Sequence, residues 1–224
     1  PDIKYILGLQ EAIVVAMADG YSRATGKLSA CNVHVAPGLG NAMGAIYNAK
    51  FVGSPVIITA GQQEQGHGLM EPMLYGPLVR MAEPIVKWAT EVTRLEDLPR
   101  IMRRAAKIAL SPPTGPVFIS LPGDILNKEA KIDLGKPTRV IDTYRPSQNS
   151  IELIAKKICK YKKPVIIAGH EVATSGAFKE ITMFAELTGS AVYQQTVPHG
   201  SHYPSEHVAF MGTLPRLQKT TKKI

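Results

Sequence analysis

Cysteine is scarce. Two residues in 224, Cys31 and Cys159, cannot staple a small fold. They lie far apart, and Cys31 falls in an apolar run expected to be a core strand. Both are read as reduced thiols of a cytosolic protein. Aromatic residues make up 6% of the chain and are not interleaved with the basic ones. The formal charge of +8 therefore indicates a basic solvated surface that favours anionic ligands, not a nucleic-acid stripe. No apolar run reaches the roughly 20 residues of a membrane span, and no signal-peptide pattern opens these residues. What the chain does have is 45% hydrophobic residues, enough for one large or two small cores. Its 19 glycines and 17 prolines punctuate short elements rather than forming low-complexity tracts.

The organising stretch is SACNVHVAPGLGNAMGAIYN, residues 29–48. Ser29 to Val35 is expected as a short buried strand, Pro37-Gly38-Leu39-Gly40 as a turn that breaks it, and Asn41 to Lys50 as a helix. Such a junction points free backbone N–H groups at whatever sits above it. His34 lies just before the turn.

Upstream, Pro1 to Leu7 is expected as a strand ended by Gly8, with a helix over Leu9 to Thr25 closed by Gly26. Gly20 inside that helix costs about 1 kcal/mol against alanine and calls for a packing reason. Downstream, Pro55 to Ala60 is a fully buried strand by composition. Gly61 to Gly76 is too long for a plain connector. Pro84 to Trp88 is expected as a short strand, and Leu95 to Leu110 as an amphipathic helix with Leu98, Ile101, Met102, Ala105 and Ile108 on one stripe. Pro116 to Leu121 is another buried strand. The alternation predicts an α/β fold, a parallel sheet with helices on both faces. Ligands of such sheets sit beyond the carboxyl ends of the strands, where Glu11, His34, Gly38 and Gly61 to Gln63 are expected to converge.

Residues 1–130 are read as the first domain and 131–150 as a linker, with 151–224 as the opening of a second domain. The second has a helix over Ile151 to Tyr161, a strand over Pro164 to Ala168, a helix over Gly176 to Thr188 and a strand over Ala191 to Gln195. Two strands and two helices are too few to close a core, so this domain is expected to be cut short.

The chemistry carries alternatives. Glu11, in the first turn of its helix, suits a carboxylate resting on the helix dipole. It equally suits a half-buried carboxylate that holds or exchanges a ring proton of a ligand. His34 is either a satisfied core histidine or an acid–base group with a fitting intrinsic pKa. His67 is a loop residue. His199, His202 and His207 lack cysteines and a firm helical spacing, so no metal site is expected. Gly38-x-Gly40-x-x-x-Gly44 loosely matches a dinucleotide fingerprint, but Ala60-Gly61-Gln62-Gln63 stands where an acidic ribose partner belongs.

LQEAIVVAMADGYSRATGK, NVHVAPGLGNAMGAIYNA, SPVIITAGQQ and GPVFISLP, in this order and spacing, resemble the pyrimidine-binding domain of thiamine diphosphate enzymes. The group is that of acetolactate synthase, pyruvate oxidase and benzoylformate decarboxylase. LQEA, the histidine of NVHVAPG, GNAMGA, TAGQQ and PIVKW bring it nearest to benzoylformate decarboxylase. KKPVIIAGHEVATSGA with TVPHGSHYPSEHVAFMG resembles the start of the family's middle domain, which is Rossmann-like.

The resemblance implies that Glu11 hydrogen-bonds the pyrimidine ring of thiamine diphosphate and so promotes ionisation of its thiazolium carbon. It implies that His34 relays protons to and from the substrate. Pro37, Gly38 and Asn41 then pack beside the pyrimidine, and Met73 and Leu74 line an apolar substrate pocket. His34 favours a decarboxylase, because most synthase relatives have a hydroxyl or amide there.

Relatives carry a strand, turn and helix ahead of the position of Pro1, and a diphosphate-binding domain with a Gly-Asp-Gly that holds Mg2+. Gly123-Asp124-Ile125 is not that motif. The expectation is therefore a fragment of a 2-keto acid decarboxylase that supplies the pyrimidine half of the site, inactive alone. Its partner would be the diphosphate-binding domain of a neighbouring chain, in a homodimer or tetramer, without nucleic acid or membrane. An acetolactate synthase-like transferase and a non-catalytic subunit are the alternatives.

Overall fold

Apolar spacing and a left-handed glycine delimit the first helix, α1 (Glu11–Thr25). Val15, Ala18 and Ser22 fall on one face and are buried. Gly26, at φ 67°, ends the helix by donating its N–H to the Ser22 carbonyl, a conformation that side chains resist. The computed structural model describes residues 3–137, 140 and 144–222. By its internal contacts the chain divides into two units, Pro1–Asp142 and Thr143–Ile224.

In the first unit β1 (Ser29–Val33), β2 (Val56–Gln62), β3 (Ala89–Glu91) and β4 (Val117–Pro122) form a sheet in the order β1-β2-β4-β3, parallel throughout. Side chains alternate across it, as the pleat requires. Val56, Ile58 and Phe118 join Val15, Leu39 and Ile46 in one buried cluster with α1 and α2 (Val35–Val52). Ile57, Val117 and Ile119 join Ala105 and Ala109 of the helix Leu98–Leu110 in the other. Each fully buried branched or aromatic side chain contributes about 1.5–3 kcal/mol. The stripe Leu98, Ile101, Met102, Ala105 and Ile108 packs onto the second cluster as its spacing predicts. A short helix α3 (Leu78–Ala82) precedes β3; Leu98–Leu110 is α4, and α5 (Gly123–Leu126) follows β4.

Four expectations for this unit are corrected. Residues 3–8 form no strand, and Ile3, Tyr5, Ile6 and Leu7 are exposed; apolar composition does not make a strand without a ladder partner. Pro1 and Asp2 lie outside the described residues. Pro37-Gly38-Leu39-Gly40 does not break the chain: α2 already begins at Val35, two residues before Pro37. Proline costs little there, because the first-turn N–H groups have no intrahelical acceptor. The short strand falls at Ala89–Glu91 rather than at Pro84 to Trp88, since Pro84 starts a tight turn over Glu83–Ile85. Gly20 has no packing reason either; a Cβ there would meet nothing.

In the second unit Ser147 caps α6 (Gln148–Ile158) by accepting from the Ser150 N–H. The segment 131–150, expected as a linker, thus ends in helix, and its residues 138, 139 and 141–143 lie outside the description. β5 (Val165–Ala168), β6 (Ala191–Gln194) and β7 (Phe210–Thr213) form a parallel sheet in the order β5-β6-β7. The strand β7 was not anticipated. The helix expected over Gly176 to Thr188 is α8 (Phe178–Thr188), and a short helix that the spacing did not predict, α7 (His170–Thr174), precedes it across the left-handed Gly176. Ala168, Ala185, Val192 and Tyr203 form the core. A last turn, α9 (Gln218–Thr221), ends the description.

Candidate functional site

Two helix starts meet above the sheet of the first unit. Glu11 opens α1, and its N-cap Gln10 makes no side-chain cap. It is half-buried. His34, directly after β1, is the N-cap of α2, and its imidazole belongs to an exposed residue. His34 is therefore not a core histidine. Nor does a strand precede Glu11, whose position comes from the packing of α1 on α2.

Gly38 is buried in the first turn of α2. A Cβ built on it would stand 3.0 Å from Glu11 Oε1, 3.2 Å from Glu11 Cγ and 3.2 Å from His34 Cβ. A side chain here would push the carboxylate and the histidine apart by a few tenths of an ångström. One turn further on, Asn41 donates its Nδ2–H to Glu11 Oε2 at 3.2 Å. Glu11, His34, Gly38 and Asn41 thus form one contiguous group, with Pro37 exposed beside it. The Gly38, Gly40 and Gly44 series lies inside α2, which removes the dinucleotide reading.

Val35, the first residue of α2 after His34, has φ 46°. A β-branched residue in this region is an outlier that costs about 1–3 kcal/mol and persists only where the surroundings hold it. A Cβ on Gly61, at the carboxyl end of β2, would lie 3.9 Å from Val35 Cγ2, so the ends of two neighbouring strands meet at the strained residue.

The loop after β2 reaches the same place. Gln62 Nε2 donates to the Gly76 carbonyl at 2.8 Å, and a Cβ on Gly76 would come within 2.8 Å of Ala36 Cβ. Gln63 Nε2 donates to the Met73 carbonyl at 2.8 Å. Met73 is 84% exposed, and Leu74 is half-buried with φ 72°. These two residues precede the contact with α2 but make no direct contact with Glu11 or His34 in the hydrogen-bond network. Gln62 and Gln63 lie at the strand end where the sequence placed them, but their ties to the loop carbonyls were not foreseen. Val35 escaped the sequence reading, because nothing in the letters around it announces a left-handed backbone.

Other polar groups have structural work. Asp124 accepts from the Gln65 N–H at 3.0 Å and from Lys128 at 3.2 Å, and that backbone N–H foremost holds its carboxyl below the usual range. Burial pushes the Cys31 thiol up to about 12, so it carries no thiolate near neutrality. In the second unit the His170 ring lies 6.0 Å from those of His199 and His202, while His207 binds Tyr203 Oη and Glu186. Among the described residues, no group of three or more His, Cys, Asp or Glu is placed to hold a metal ion, and no helix is long and apolar enough to cross a membrane.

Comparison with known proteins gives two family matches. Residues 1–73 match the thiamine pyrophosphate enzyme N-terminal TPP binding domain, and residues 151–223 match the central domain of the same enzymes. Benzoylformate decarboxylase of Pseudomonas aeruginosa is 32% identical over 217 residues, which is 96% of this chain and 41% of that protein. An acetolactate synthase large subunit of Buchnera aphidicola is 31% identical over 217 residues, 95% of this chain and 38% of that one. Among solved structures, the thiamine diphosphate-dependent 4-hydroxybenzoylformate decarboxylase of Rhodococcus jostii RHA1 superposes with a TM-score of 0.88 at 34% identity, covering 96% of this chain and 42% of its own. The chain spans about two fifths of the length of these relatives.

Proposed function

Starting from a chain that belongs to the thiamine pyrophosphate enzymes and carries their N-terminal and central domains, we propose that it supplies the pyrimidine half of the cofactor site of a 2-keto acid decarboxylase resembling benzoylformate decarboxylase. The observation that carries this reading is the closure of Glu11 and His34 over Gly38, with Asn41 donating to the carboxylate.

The donor set fits thiamine diphosphate. A half-buried carboxylate held from one side by an amide keeps acceptor capacity for a ring nitrogen, and a glycine floor leaves room for a flat heterocycle. When bound, the cofactor supplies an acidic thiazolium carbon and an electron sink for decarboxylation. Glu11 would share a proton with the pyrimidine ring nitrogen through a hydrogen bond, and so would favour ionisation of the thiazolium carbon. Asn41 fixes the carboxylate heading, and Pro37 and Gly38 form the surface against the ring. His34, exposed beside them, gives and takes protons at the substrate-derived atoms. Met73 and Leu74 face an apolar substrate group. Diphosphate and Mg2+ are held by a domain outside these residues, on a neighbouring chain of a homodimer or tetramer, and the two free thiols suit the cytoplasm.

Likeness to acetolactate synthase supports a second reading, in which the activated aldehyde passes to a second keto acid. The imidazole of His34 is the residue that speaks for the decarboxylase. Product analysis of the full-length protein with pyruvate as sole substrate separates the two. Free aldehyde is the expected product, and acetolactate overturns the decarboxylase reading.

A further inference from the structure

The chain from Gln63 to Pro77, between β2 and α3, is long for a connector and contains only one short helical turn, His67–Met70. Its exposed apolar side chains, Leu69, Met70 and Met73, would favour collapse onto any nearby surface. Two of its non-glycine residues, Glu71 and Leu74, hold left-handed backbones with φ 47° and 72°. Something must keep such a segment in one shape.

The amides of Gln62 and Gln63 do so. The backbone N–H of Gln63 donates to Gln62 Oε1 at 2.8 Å, which settles the orientation of that amide, because an N–H only donates. Gln62 Nε2 is then free to donate to the Gly76 carbonyl at 2.8 Å. Gln63 Nε2 donates to the Met73 carbonyl at 2.8 Å. The two tied carbonyls flank Leu74, the residue with the strained backbone. A third tie, from the Gln65 N–H to Asp124, holds the near end of the segment. At the far end, Gly76 lies so close to Ala36 in the first turn of α2 that a methyl group would not fit. The clamp therefore joins the loop to the same helix turn that carries Gly38.

We infer that Gln62 and Gln63 are positioning residues, which hold the Met73–Leu74 bend against the first turn of α2 and so set the shape of the substrate pocket beside His34. This rests on the functional reading above for the word substrate, and on geometry alone for the clamp. Gln62 and Gln63 touch no reacting atom. They act through the carbonyls on either side of Leu74, so their loss weakens substrate binding more than turnover.

Two measurements on Gln63→Met test this, since methionine matches the length of glutamine without its donor. In this chain, hydrogen exchange over residues 66–76 should quicken about five- to tenfold, the weight of one hydrogen bond, while β1, β2 and β4 keep their protection. In the full-length protein, KM for the 2-keto acid should rise about five- to tenfold, and kcat should fall by less. Unchanged exchange overturns the clamp. Faster exchange with an unchanged KM overturns its bearing on the substrate pocket. Equal loss in kcat with KM constant also overturns it, because that pattern belongs to a group acting only in the transition state. A full-length parent that decarboxylates no 2-keto acid counts against the functional reading, and the exchange arm still decides whether the amides hold the loop. Gln63→Asn serves as a second variant: its shorter amide cannot span the gap and should reproduce the effect if reach, not polarity, is what matters.

Discussion

The side-chain amide of Asn41 donates to the carboxylate of Glu11 at 3.2 Å, tying the second turn of α2 to the first turn of α1. It aims a half-buried carboxylate by a neutral donor and leaves its second oxygen free to accept.

Glu11→Gln in the full-length protein should slow proton exchange at the thiazolium carbon of bound thiamine diphosphate by about 10²–10⁴, the span of a positioned acid–base group. Asn41→Ala should slow it by about tenfold, with the fold intact by circular dichroism. Proton exchange followed by NMR reads both. An unaltered rate in Glu11→Gln would remove this residue from the mechanism.

Gly38→Ala places a methyl group 3.0 Å from Glu11 Oε1. Overpacking of this kind costs about 1–3 kcal/mol, so the urea midpoint of the first unit should fall. The fluorescence of Trp88, which packs on the second core cluster of that unit, reports it. Gly20→Ala should do the opposite. Its Cβ meets nothing in the middle of α1, and the helix should gain about 1 kcal/mol in the same titration.

The second unit should weaken in acid. His202 is fully buried. Burial first, then His170 and His199, holds its pKa below the ordinary imidazole value, with Glu171 and the Ala168 backbone pulling the other way. As pH falls below about 6.5 the unfolded chain takes up this proton before the folded one does. The stabilisation is complete above that pH and is lost as pH drops from there toward the folded value. Hydrogen exchange of β6 and β7, corrected for intrinsic rates, should quicken from pH 7.5 to 5.5. His202→Leu should flatten that dependence; an equally steep one would exclude His202 as its source.

Thiol labelling at pH 8 should modify exposed Cys159 readily and leave Cys31 unmodified until urea is added. Burial keeps Cys31 protonated. Rapid labelling of both native thiols contradicts the burial of the Cys31 thiol.

Much of this was legible in the letters. Val56 to Ala60 and Val117 to Leu121 announce buried strands because a parallel sheet covered on both faces tolerates no polar alternation. The stripe on α4 shows at helical spacing. The grouping of Glu11, His34, Gly38 and Asn41 followed from motif order, yet its geometry differed from the turn that Pro37 and Gly38 suggested. Punctuation residues are ambiguous in a helix's first turn, where missing donors and small side chains are tolerated. Residues 3–8 misled for another reason: their apolar letters describe what they would bury, not what they pair with. The amide bridges from Gln62 and Gln63 were invisible, because they link positions brought together only by the folded loop.

Val35, with its φ of 46°, gives the site one further property. A branched residue has no shallow valley around that angle to drift through. If the contacts from Gly61 or Ala36 slacken, the backbone will not relax by degrees; it will flip to an extended or right-handed well and carry the neighbouring imidazole with it. Variants near this junction should therefore divide into two populations, aligned or misaligned, with few intermediates between them.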